Sequence, residues 1–87
     1  MFVWHQSEIK DYPRPLGKLA RELADLKYDV LAEFLREFSL CMEEDSQADL
    51  RRKRPKLAKE LRETSKALSE AHEAVERAWR ICEPHMT

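Results

Sequence analysis

The chain has one glycine, two cysteines and no apolar run near the ~20 residues that a membrane-spanning helix requires. Scarce glycine argues against sheet-rich folds, whose tight hairpins draw on it. Two cysteines do not make a disulfide scaffold. Met1 to Ile9 has no basic start and its apolar run stops at His5, so no secretory signal is read there. Cys41 and Cys82 are therefore expected to be reduced, buried thiols of a cytoplasmic protein. A net charge of −1 gives no bulk attraction to a polyanion or an anionic membrane.

Catalytic and metal signatures are sparse as well. Ser39, Ser46, Ser65 and Ser69 lack the strand–turn–helix setting of a G-x-S-x-G nucleophile. Cys82 and His85 have a C-x-x-H spacing, which is half of a four-ligand zinc site. Glu70, Glu73 and Glu76 step by three along a helix, but without the Glu-x-x-His partner of a di-iron bundle they read as solubilising acids. His72 can reach Glu76 one turn on, a structural pairing. The expectation is a non-enzymatic chain with no cofactor and no metal.

What the sequence does have is charge and helical period. Charged residues make up 38% of it, too regularly interleaved with aliphatics for general disorder. In the second half, Leu57, Leu61, Thr64, Leu68, Ala71, Val75, Ala78 and Cys82 alternate four- and three-residue steps, a heptad seam. A helix with such a seam lies lengthwise against another helix. Beside it run Ala58, Ala67, Ala74 and Ile81, so that side is rich in small residues which admit a close neighbour.

The first half supplies that neighbour. Residues 1–14 read as an extended arm, with Pro13 and Pro15 holding Arg14 out of a helix. One long helix is expected over about 15–44, a connection over 45–54, a second helix over about 55–82, and a tail over 84–87. Ser46 with Asp49 suggests a capped turn inside the connection, and Pro55 suits the first position of the second helix. At 1.5 Å per residue the helices are roughly 45 and 42 Å long, matched as arms of an antiparallel hairpin. Residues 16–45 hold eight acids and four bases, whereas 50–82 hold ten bases and five acids, so opposite charge favours their pairing.

The apolar residues of the first helix spread too widely for one partner. Leu19, Leu23, Leu26 and Val30 form one stripe; after Val30 it shifts sideways through Leu31, Phe34, Leu35 and Phe38. Together with Leu61, Leu68 and Val75 of the second helix, these are the expected core and dimer interface. The expected fold is all-α: an antiparallel, coiled-coil-like two-helix hairpin that dimerises into a four-helix bundle.

Function is then read as protein–protein interaction, by an adaptor, regulator or accessory subunit. Its partners are itself, as a homodimer, and possible further proteins through the bundle surface or a docking arm of Phe2, Val3 and Trp4. The arm is expected first to fold back, with Phe2, Trp4 and Tyr12 capping Trp79 and Ile81 at the hairpin's open end, and external docking by Phe2, Val3 and Trp4 is the competing view. The alternative function is nucleic-acid association through Arg51, Arg52, Lys53, Arg54, Lys56 and Lys59, a cluster suited to phosphates but preceded by Glu43, Glu44, Asp45 and Asp49. No membrane role is expected.

Overall fold

The computed structural model describes residues 5–12 and 15–85. It is all-helical: α1 is Leu16–Ala24, α2 is Tyr28–Arg51 and α3 is Pro55–Cys82, followed by a short 3-10 turn at Glu83–His85. Among the described residues there is no strand, only an isolated bridge between Ile9 and Tyr12. No helix among them is long and apolar enough to cross a membrane. Helices α2 and α3 pack against each other along their lengths, and α1 buries no side chain.

Three layers, seven residues apart on each helix, set the α2–α3 pairing. Ser39 Oγ donates to the Ser65 carbonyl at 2.9 Å, and Ser65 Oγ returns a bond to the Ser39 carbonyl at 2.8 Å. One layer toward the turn, Ser46 Oγ donates to the Ala58 carbonyl at 2.7 Å. One layer the other way, His72 Nδ1 sits 2.7 Å from the Ala32 carbonyl, which can only accept, so the ring donates. Ala32, Ser39 and Ser46 are seven apart, as are Ala58, Ser65 and His72, and they meet in opposite order, so the helices are antiparallel. Side chains this short let hydroxyls reach across to main-chain carbonyls. Ala32, Ala58, Ser39, Ser46 and Ser65 are all buried.

The seam of α3 is therefore rotated by one residue at every second position from the one read in the sequence. Ala58, Ser65, His72 and Trp79 point at α2, in place of Leu57, Thr64, Ala71 and Ala78; Leu61, Leu68, Val75 and Cys82 flank the contact half-buried. Close approach wants small groups on the line between the axes, and the larger aliphatics move to one side of it.

The helix expected over 15–44 is instead two helices, with the break at Asp25–Lys27. Lys27 takes φ −54° and ψ 142°, which is not helical, and Asp25 caps α1 while pairing with Arg21 at 2.9 Å. The break falls just before the sideways shift of the apolar stripe, so the chain resolves that phase conflict by restarting. The connection expected over 45–54 shortens to Arg52–Arg54. Ser46, expected to cap a separate turn, lies inside α2, because the Ala58 carbonyl offers its hydroxyl a better partner than a cap.

The turn is closed by backbone bonds. Arg54 N–H reaches the Asp49 carbonyl at 2.9 Å and Lys53 N–H the Leu50 carbonyl at 3.0 Å, the paired bonds of a Schellman ending. Lys53 has φ 60°, the left-handed conformation that this ending needs and that a side chain resists. Arg54 Nη1 lies 3.2 Å from Asp49 Oδ1 and adds an ion pair across the turn. Pro55 then starts α3, where its missing N–H removes no helical bond.

Two predictions follow from this geometry. Ser39→Ala should lower unfolding free energy by about 0.5–1.5 kcal/mol through the lost hydrogen bond. Ser39→Leu should cost more, about 1–3 kcal/mol beyond that loss, because it forces the backbones apart. Urea denaturation followed by circular dichroism measures both; a Ser39→Leu variant as stable as the parent would contradict close approach. Lys53→Gly should raise stability by about 0.5–1 kcal/mol by relieving the left-handed strain, while Lys53→Val should lower it. Equal midpoints for Lys53→Gly and Lys53→Val would exclude that strain.

Candidate interaction surface

Because small residues occupy the contact line, the bulky ones of both helices lie beside it. On α2, Leu31, Leu35 and Met42 are half-buried, and Val30, Phe34 and Phe38 are 44%, 41% and 41% exposed. Phe34 and Phe38 touch each other with ring centroids 6.0 Å apart. On α3, Leu61, Leu68 and Val75 are half-buried next to Leu57, Ala71 and Ala78. A depression of about 390 Å³ is lined by Met42, Asp45, Leu57 and Leu61, so these stripes of the two helices open onto one face. The aliphatic and aromatic side chains of this side are half-buried to exposed, and at the turn end His5, Asp49, Arg52 and Arg54 also line the depression.

Leu19, Leu23 and Leu26, assigned with the same interface, belong to α1 and the break after it. All three are half-buried, whereas Leu16 is 67% exposed. No large side chain among the described residues is fully buried, and the buried apolar residues are two alanines. The described chain is a slab of 51 × 28 × 14 Å rather than a ball.

The opposite face is polar. Glu43 and Arg62 pair across it at 3.6 Å. Farther along, a depression of about 280 Å³ is lined by Asp29, Arg36, His72, Glu76, Trp79 and Arg80 among others. His72 Nε2 is 3.2 Å from Glu76 Oε1, and Lys27 Nζ stands 5.6 Å above the Trp79 ring. Acids and bases both line this hollow. Its histidine is held between a carbonyl and a carboxylate, the geometry of a structural strut rather than of a free base.

The basic cluster sits at the turn. Arg51, Arg52, Lys53, Lys56 and Lys59 are exposed, whereas Arg54 is half-buried against Asp49. Arg52 also approaches Asp49, at 3.9 Å. The structure thus divides this set: Arg54 is a structural member of the turn, and the others form a cationic end to the slab.

The two cysteines differ from expectation. Cys41 is exposed and Cys82 half-buried, and both are free thiols. Cys41 lies in the middle of α2, off the contact line that Ser39 and Ser46 occupy. Among the described residues no group of three or more His, Cys, Asp or Glu side chains is placed to hold a metal ion. Phe2, Val3 and Trp4 lie outside the described residues. Of the described arm, His5 lines the depression with Met42 and Leu57, at the turn end of the pair, whereas Trp79 is at the other. Ser39, Ser46, Ser65 and His72 join the two helices, a role that sequence reading did not give them. Their seven-residue spacing, matched in reverse by Ala32 and Ala58, is the signal that identifies them.

Comparison with known proteins adds no relative: no protein-family model, no curated protein and no solved structure matches this chain.

Proposed function

We propose that this chain is a non-enzymatic interaction protein that completes its core by association through the apolar face of the α2–α3 pair, with a second copy of itself as the first occupant and a four-helix bundle as the product. One observation carries this reading: Val30, Phe34 and Phe38 each leave about two-fifths of their surface in water, while the buried apolar residues among the described ones are two alanines. Fully covering such side chains is worth about 1.5–3 kcal/mol each, so the half already exposed offers a substantial part of that. A long amphipathic helix pair with one open face is a ready platform for helix-on-groove recognition.

The purified chain should sediment at twice its monomer mass at micromolar concentration. Phe38→Asp should shift it to monomer and lower its helicity and melting temperature, since a half-exposed position tolerates the charge in the lone chain but not in a sealed bundle. Analytical ultracentrifugation with circular dichroism reads both. A parent chain that stays monomeric, fully helical and cooperative in melting would overturn the proposal.

A further inference from the structure

We propose that the depression at the turn end of the apolar side is the seat of the chain's own Phe2, Val3 and Trp4, which close that end of the face within a single copy. The assignment goes beyond the association of copies and does not depend on it, since it gives one end of the face an occupant from the same chain.

Both helices build the seat. Met42 and Ala48 of α2 and Leu57 and Leu61 of α3 give apolar walls to a volume of about 390 Å³, and Asp45 and Arg52 stand exposed at its edge. A flat aromatic ring with one polar donor suits that lining, and tryptophan has both. Asp45 offers a carboxylate to an indole N–H, and the Met42 thioether makes a soft contact with an aromatic ring.

Chain length selects the occupant. His5 already lines the depression, and the residues just before it are Phe2, Val3 and Trp4. From His5 to Phe2 is three steps, at most ~11 Å given roughly 3.3–3.6 Å per residue. Trp79 stands roughly 27 Å beyond Leu61 along α3, so an aromatic cap at the open end is out of reach for Phe2 and Trp4 of the same copy. The depression lies beside them. A tethered segment also meets its seat at an effective concentration of about millimolar, which a second copy at micromolar concentration does not match. The second copy is left the stretch that carries Leu31, Phe34, Leu35 and Phe38.

Trp4 reports the docking once Trp79→Phe makes it the only tryptophan. Its emission should lie at shorter wavelength than that of tryptophan in water. Leu57→Asp should return it to the water value with helicity unchanged, because an acid in the first turn of α3 suits the helix dipole. A nitroxide quencher then gives position. With Cys41 and Cys82 changed to Ser, it is attached at Arg52→Cys beside the depression or at Arg80→Cys near the open end, both exposed positions. The label at position 52 should remove most of the Trp4 emission and the label at position 80 almost none, at dilutions where the chain sediments as a monomer. Water-like Trp4 emission that ignores Leu57→Asp overturns the proposal. So does quenching from position 80, or quenching seen only when a labelled Trp4→Phe chain is mixed with an unlabelled one, which hands the segment to the partner copy. Sedimentation of the parent chain is a separate measurement: a chain that never associates overturns self-association and leaves the seat to be judged by Trp4 alone.

Discussion

Everything in this molecule depends on how near α2 comes to α3. The reciprocal bonds between Ser39 and Ser65, with the Ser46 bond to the Ala58 carbonyl, exist only because nothing larger than a hydroxyl or a methyl stands between the backbones. Each carbonyl already accepts its helical bond and uses its second lone pair for the partner helix. The bonds satisfy polar atoms that would otherwise be buried without a partner, and they specify which residue faces which. Apolar packing alone is less exacting, because one aliphatic contact resembles the next.

The open face is a consequence of that choice. A helix has a limited arc, and a stripe given to alanine and serine cannot also hold phenylalanine. The large side chains of both helices are displaced to the same side of the contact, where two helices leave them half in water. The polar face is the complement: Glu43 with Arg62, and His72 with Glu76, sit where the displaced hydrophobes do not. The two faces of the slab thus differ in chemistry because its middle is so thin. The proposed pairing of copies uses the face that this displacement exposes.

Much of the architecture was legible in the residues. The scarcity of glycine, the heptad spacing of α3 and the proline at its start point to an all-α chain, and that is what forms. The rotation of the seam by one position was not legible, because Leu57 and Ala58 both fit a heptad and the pattern alone favours the larger residue. What decides between them is the identity of the facing residue on α2, and that requires the register. The break at Asp25–Lys27 was missed for a related reason: it has neither glycine nor proline, and its only trace is the phase shift after Val30. Ser46 and Asp49 looked like a cap because serine and aspartate favour helix starts. Inside α2 both found partners from α3 or the turn, Ser46 in the Ala58 carbonyl and Asp49 in Arg54. As for the candidate site, the sequence supplied the members of the apolar stripes but not that they share a single open side.

The three-residue turn has a consequence for how such a chain can change in length. Arg52 to Arg54 leave no slack, and the serine layers recur every seven residues. An added residue inside either helix would turn everything beyond it by about 100° and carry a serine away from its carbonyl. Additions that preserve the layers come in whole heptads and in both helices together, lengthening the rod by one storey at a time. Single residues can come and go only outside the paired stretch of the two helices and its turn.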